Sequence, residues 1–384
     1  MQDRVVKVAM NGVTGRMGYR QHLVRSVLAI RAAGGVPLPD GTRLLPEPLL
    51  VGRSERKLAE IAREHGLGQW TTDLDTALSD DAVQVYFDSQ VTSARTDAVR
   101  RAITAGRHVY VEKPVASTRA DALELADLAD AAGVRAGVVQ DKLFLPGLLK
   151  LRRLVEAGFF GRILSLRGEF GYWVFEGDWR SAQRPSWNYR AEDGGGMVLD
   201  MFPHWNYLLE QIFTPVTAVT ARTATHLPHR VDEHGNGYEA TADDAAYAIL
   251  ELADGTVAQI NSSWCVRVHR DELVEFQVDG TEGSAVAGLW DCRVQHRATT
   301  PRCTWDPDRA QAQNYRSQWQ SVADDVEFPN AFRAQWELFL RHVATGSPFP
   351  HDLRCGARGL GLAEAALRSA ASGARVEIQE GAQL

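Results

Sequence analysis

The sequence predicts two domains: a parallel α/β sheet domain over residues 1–142, then an α+β domain with a largely antiparallel, open sheet over residues 143–384. Three observations carry this expectation. Short apolar runs alternate with helical patterns through the first part, as a doubly wound parallel sheet requires. Longer runs with period-two alternation follow, separated mostly by turns, which suits an antiparallel sheet with one solvent- or partner-facing side. A chain of 384 residues also exceeds what one ordinary hydrophobic core organises.

In the first part, Val5 to Met10 reads as a strand entering a glycine-bearing turn, and the spacing from Tyr19 to Ile30 as a helix. A Gly/Pro-rich insertion precedes a second strand, Pro48 to Val51, and the helix after it stops at Gly66. Val83 to Phe87 is a third strand. A helix from Ala94 to Ala105 leads into a strand ending at Val111, and Ala136 to Gln140 closes the series after another helix. Beyond a helix near Leu148 to Glu156, I-L-S-L-R-G-E-F, D-A-A-Y-A-I-L-E-L and E-L-V-E-F-Q-V-D-G are among the strands of the second sheet. Two amphipathic helices, Ala331 to Thr345 and Cys355 to Ser372, form the tail.

Composition narrows the function class. With 45% hydrophobic and 24% charged residues, the chain matches ordinary soluble globular proteins. A net charge of −7 without a basic stripe excludes general attraction to nucleic acid or to an anionic membrane. No apolar run suits a signal peptide or a membrane span, and the four scattered cysteines lack a CxxC pair, so a cytoplasmic protein with reduced thiols is expected. His226, His229 and His234 lie in a polar loop without zinc-site spacing, so no metal is expected.

The chemistry concentrates in two places. G-V-T-G-R-M-G follows the first strand and opens a helix, so Gly12, Thr14, Gly15, Arg16 and Met17 are candidates to cradle a dinucleotide pyrophosphate on a helix N-terminus. The second strand ends Gly52-Arg53-Ser54, without the carboxylate that holds the ribose hydroxyls of NAD. Arg53 and Ser54, assisted by Arg16, suit a 2′-phosphate, so NADP is favoured. V-Y-V-E-K-P then puts Glu112 and Lys113 at the carboxyl edge of the same sheet, with Lys113 beside the nicotinamide and held extended by Pro114. Glu112 is placed to pair with Lys113 or with a loop donor.

The second place is E-D-G-G-G-M-V-L-D-M-F-P-H-W-N, where Asp200 and His204 stand at i and i+4, on one face if the segment is helical. A carboxylate beside an imidazole orients it and raises its basicity for acid–base work. Pro203 is expected to interrupt that helix, leaving a kinked first turn. The run from Trp173 to Arg190 is rich in aromatic and arginine residues, which suit a pyranose or an anionic sugar. Lys142, Trp187, Tyr189 and Arg190 are therefore candidate substrate contacts.

E-K-P after a strand, G-G-G-x3-D-x3-H downstream and an open sheet behind a nucleotide domain together resemble the glucose–fructose oxidoreductase/inositol dehydrogenase (Gfo/Idh/MocA) family. The likeness runs nearly the whole chain, through V-D-G-T-E-G-S-A and the last helix. It implies a Rossmann-type first domain and NAD(P)-dependent oxidation or reduction of a carbinol carbon of a sugar, glycoside or cyclitol. On this chain it makes Lys113 the group that polarises the reacting oxygen, His204 the acid–base and Asp200 its partner, with all three touching substrate. It also implies, as alternatives, redox-neutral glycoside cleavage through transient oxidation, or a non-catalytic sugar sensor. Self-association into a dimer or tetramer through the open sheet is expected. Two positions depart from the family pattern: Asp88-Ser89-Gln90 replaces T-P-N, and Arg95 stands where a histidine is usual. Asp88 is expected beside the cofactor. The G-R-M-G spacing is similar to dihydrodipicolinate reductase, but over a short stretch only.

Overall fold

The computed structural model describes residues 3–171, 177–268, 272–301, 306–310, 314–325, 327–328 and 330–378. Contacts divide the chain into two compact units: Met1–Phe144 with Pro329–Leu360, and Leu145–Phe328 with Gly361–Leu384. The helix Ala331–Thr345, which the expected boundary put with the second domain, thus packs within the first unit. Its buried face explains why. Trp336, Phe339 and Leu340 enter one apolar cluster with Val8, Met10, Phe87 and Tyr110 of the strands. Periodicity reveals that a helix has an apolar stripe, but not which sheet the stripe covers.

The first unit holds a sheet in the order Val36–Pro37, Arg43–Val51, Asp3–Asn11, Val83–Asp88, His108–Val111, Ala136–Val138, with Trp70–Thr71 beside Arg43–Val51. All pairs are parallel except Val36–Pro37 against Arg43–Val51. The insertion therefore builds a small hairpin, and the second strand starts earlier than expected, at Arg43. Val6, Val8, Ala9 and Met10 are buried in sequence, as a strand covered on both faces demands. Strand order reverses about Asp3–Asn11, where Asn11 is level with Val51 on one side and Asp88 on the other. Ligands of such sheets bind at the carboxyl ends around this reversal.

The first helix runs as expected but is wound unusually. Gly18–Leu28 takes π-helical spacing before Ala29–Ala32 continues as α-helix. Wide-wound turns of this type recur at functional sites.

Among the described residues the second unit holds a nine-stranded sheet, ordered Gln320–Ser321, Cys292–His296, Gly283–Ala287, Val274–Gly280, Ile163–Phe170, Val257–Ser263, Ala245–Leu252, Val216–Ala224, Val376–Glu377, and a separate pair, His229–Val231 with Gly237–Glu239. Only Ile163–Phe170 and Val257–Ser263 pair in parallel. Alternation shows directly in burial: Ala246, Ala248 and Leu250 are covered, while Tyr247 and Ile249 between them are exposed. The helix Met197–Ile212 packs on this sheet, its Trp205 indole donating to the Ser262 hydroxyl at 3.0 Å. Pro203 does not break the helix, contrary to expectation. It lacks the N–H that would bond the Leu199 carbonyl, and its burial with Phe202 and His204 holds the backbone helical through that gap. No described helix is long and apolar enough to cross a membrane.

Candidate active site

The nucleotide loop is shaped by the chain itself. Gly12 has φ +87°, and a Cβ there would stand 2.6 Å from the Ser89 carbonyl carbon. A Cβ on Gly18 would meet the Ser89 hydroxyl oxygen at 2.4 Å and the Gly12 carbonyl oxygen at 2.5 Å. Ser89 closes this contact by donating its backbone N–H (2.9 Å) and hydroxyl (3.0 Å) to the Asn11 carbonyl. Gly12 and Gly18 thus serve the fit of two turns, while Gly15, Arg16 and Met17 stay exposed and Thr14 half-buried at the tip, open to a phosphate.

Beside the loop lies a cavity of about 190 Å³, lined among others by Asn11, Gly52, Arg53, Thr72, Gln90 and Arg101. Arg53 and Arg16 are both exposed, and among the described residues neither has an ion-pair partner. Ser54 serves the fold, its hydroxyl oxygen accepting the Lys57 N–H at 3.4 Å to cap the helix Glu55–His65. Its O–H proton remains available to an outside acceptor.

At the end of His108–Val111, Glu112 uses both oxygens. Oε1 meets His22 Nε2 at 2.7 Å, and Oε2 accepts the Lys113 backbone N–H at 3.0 Å. The loop donor expected for Glu112 is thus an imidazole from the first helix. Burial acts to raise the Glu112 carboxyl, but His22, Arg95 and Lys113 outweigh it and hold it below the usual carboxylate range. The Lys113–Pro114 peptide is cis.

Asp88 does not face the cofactor as expected; it is 0% exposed. Oδ1 accepts from Arg95 Nε (3.0 Å) and Gln90 N–H (3.0 Å), and Oδ2 from the Tyr86 hydroxyl (2.6 Å) and Gln90 side chain (2.8 Å). Arg95 spends its remaining nitrogens on the Gln90 carbonyl, at 2.6 Å, and the Pro114 carbonyl. The two departures at Asp88 and Arg95 are therefore one buried ion pair, which ties the third-strand turn to the E-K-P segment. Downstream, Lys142 Nζ lies 3.8 Å from the Asp141 carboxylate. The preceding Gln140 is fixed by Gln335 (2.7 Å), Cys355 (3.0 Å) and His351 (2.7 Å).

Asp200 and His204 belong to the second unit, on the helix Met197–Ile212. That helix has no side-chain cap of its own at Gly196. Asp243 supplies one from outside: its carboxylate accepts the Val198 N–H and its carbonyl the Met197 N–H, each at 2.9 Å. Burial pushes the Asp243 carboxyl above its usual range despite these bonds. Asp200 forms an ion pair with Arg184 at 2.9 Å, and His204, buried, hydrogen-bonds through Nδ1 to the Tyr207 hydroxyl at 2.7 Å. Arg184, Tyr207 and Asp243 escaped the sequence reading. Only Tyr207 left a local signal, an i+3 spacing from His204 that shares its face.

Tyr189 is overturned as a substrate contact, because it is 0% exposed. Its ring packs edge-on to Trp264 at 5.2 Å and under the Arg230 guanidinium at 3.9 Å, while Arg230 pairs with buried Asp244 at 2.8 Å. Trp187 is exposed, and Arg190 is half-buried with its guanidinium 4.8 Å over Tyr238. Residues 173–176 of the aromatic run lie outside the described residues. His226 bonds the Tyr247 hydroxyl at 2.9 Å and His229 pairs with Glu239 at 2.6 Å.

Residues 6–140 match the oxidoreductase family with an NAD-binding Rossmann fold, and residues 148–286 the GFO/IDH/MocA C-terminal domain. A D-xylose dehydrogenase of Paenarthrobacter nicotinovorans is 57% identical over 380 residues, 98% of either chain. A 1,5-anhydro-D-fructose reductase of Ensifer adhaerens is 27% identical over 67% of this chain and 70% of its own. The solved structure of a levoglucosan dehydrogenase with NADH and levoglucosan shares the fold, with TM-score 0.81 at 20% identity, over 98% of this chain and 100% of that one.

Two outcomes follow for the first unit. Arg95→Leu leaves Asp88 buried without its cation and should cost about 3–5 kcal/mol. Asp88→Asn combined with Arg95→Leu should recover much of that in urea unfolding; a double variant as unstable as the sum of the singles would refute the pairing. Because the Glu112 carboxyl is held below its usual range, its contribution to stability is present above about pH 4.3 and fades as pH falls further. Thermal melts of the parent and Glu112→Gln should therefore differ most near pH 7 and converge toward pH 3. A gap independent of pH would contradict the assignment.

Proposed function

The chain belongs to the Gfo/Idh/MocA family of oxidoreductases, and we propose that within it this protein is an aldose dehydrogenase acting on D-xylose with NADP as favoured acceptor. It is an NAD(P)-dependent sugar oxidoreductase, moving a hydride between nicotinamide and a carbinol or carbonyl carbon. The observation that carries the substrate is the 57% identity, over 98% of both chains, to a D-xylose dehydrogenase. For an aldopyranose the carbon assigned here is C1, whose oxidation yields a lactone stabilised by the ring oxygen.

A nicotinamide held over the carboxyl edge of the first sheet would supply the acceptor for the hydride of C1. This chain's residues manage the oxygen and its proton. Lys113 donates a hydrogen bond to the C1 oxygen and stabilises the negative charge that grows as O–H and C–H bonds break. His204 takes the proton on the ring nitrogen opposite the one that Tyr207 holds, and passes it to solvent. Asp200, held by Arg184, orients His204 from one turn earlier on the same helix. Lys142, Trp187 and Arg190 are assigned to the remaining sugar hydroxyls and ring face.

Two guanidiniums without an ion-pair partner among the described residues, Arg53 and Arg16, with the hydroxyl proton of Ser54, support a 2′-phosphate at the second-strand turn. Tyr247, Ile249 and Val257, exposed on one face of the second sheet, support self-association into a dimer or tetramer through that face. Sedimentation of a monomer at micromolar concentration would remove that assignment.

Reduced-nicotinamide absorbance with NAD and NADP tests the rest. D-xylose and other aldopyranoses should turn over, whereas levoglucosan, which has no hydroxyl on C1, should not. Levoglucosan turnover would move the oxidised carbon elsewhere on the ring. Lys113→Ala and His204→Ala should each lose about 10²–10⁴ in kcat, and parent rates in either would remove that residue from the mechanism. Arg53→Ala should raise KM for NADP about tenfold while leaving KM for NAD within about twofold; equal effects on both would end the NADP preference.

A further inference from the structure

Behind the Lys113 backbone stands a hydrogen-bonded series that the chemistry above does not use. His22 is fully buried on the wide-wound part of the first helix, with Phe87 and Phe332 at ring-centroid distances of 4.4 Å and 5.1 Å. Trp336 donates its indole N–H to His22 Nδ1 at 3.0 Å. An indole nitrogen can only donate, so Nδ1 must accept and the single ring proton resides on Nε2. That proton goes to Glu112 Oε1 at 2.7 Å, and the other Glu112 oxygen accepts the Lys113 N–H at 3.0 Å. Each bond sets the polarity of the next, from indole to imidazole to carboxylate to the amide of Lys113.

We propose that His22, locked in one tautomer by Trp336, is a positioning residue for Lys113: through Glu112 it fixes the backbone from which the lysine reaches the sugar oxygen. This rests on the role assigned to Lys113 above. The three residues come from different elements and far-apart positions, yet the last bond ends on the lysine's own amide. Among the described contacts Glu112 is the one titratable group against His22, since Phe87, Phe332 and Trp336 carry no charge. Arg95 and Lys113 are the cationic groups that act on Glu112. Without the imidazole N–H, the carboxylate loses a donor and swings toward these cations, which draws the Lys113 ammonium off the substrate.

The test compares His22→Leu, His22→Gln and Trp336→Phe with the parent and Lys113→Ala, in the D-xylose assay with NADP. His22→Leu should lower kcat about 10- to 100-fold, with KM for NADP within about twofold, because misplacement by a fraction of an ångström suffices. His22→Gln, whose amide both accepts and donates, should return kcat to within about threefold of the parent. Trp336→Phe keeps an aromatic ring in the cluster but removes the donor that sets the His22 tautomer, so its kcat should fall about 3- to 30-fold with KM for NADP within about twofold. That variant also carries the test if His22→Leu does not fold. A parent kcat in His22→Leu or in Trp336→Phe, or a His22→Gln no better than His22→Leu, would overturn the positioning role while Lys113→Ala is inactive. Lys113→Ala at the parent rate would instead sink the reading beneath it.

Discussion

Burying a carboxylate is costly unless each oxygen finds a donor, and Glu112 is where this chain meets that condition. Its two oxygens join the first helix to the residue at the end of the His108–Val111 strand. The segment that follows is held from its other side, where Arg95 grips the Pro114 carbonyl while neutralising Asp88. Two buried acids, two cationic or donating partners and one short peptide segment therefore form a single frame. Lys113 belongs to that frame through its backbone N–H, which Glu112 holds at 3.0 Å. In the function proposed above, that fixed backbone is the pre-organisation by which a lysine would stabilise developing charge.

The second unit solves a similar problem with a helix instead of a strand end. Met197–Ile212 begins at a glycine without a capping side chain, and its first N–H groups are taken by Asp243 from another segment. The helix start is thereby fixed to the sheet that it covers. Asp200 and His204 inherit that placement, with Arg184 and Tyr207 settling their individual orientations.

Much of this was legible in the sequence. The α/β and open-sheet architecture and the family follow from strand–helix alternation and from the order of three motifs, because those are local patterns in which residue type and spacing suffice. What stayed hidden was pairing over distance. His22 and Glu112 are 90 residues apart, and nothing near either announces the other. Asp88 read as a cofactor contact because its position at a strand end is local information, while its burial by Arg95 is not. Tyr189 misled for a related reason: an aromatic in a loop rich in arginines looks the same whether it faces a ligand or lies beneath a guanidinium.

The helix Ala331–Thr345 bears on the order in which the protein can be made. The bond between His22 and Trp336 joins positions 314 apart, and the aromatic cluster around Phe87 and Tyr110 is incomplete without that helix. N-terminal domains commonly fold while the rest of the chain is still emerging from the ribosome. Here the nucleotide-binding half keeps one apolar face uncovered until that helix has been made. A product truncated after residue 144 would carry every glycine of the phosphate loop and still leave one face of its sheet without the cover of Trp336, Phe339 and Leu340.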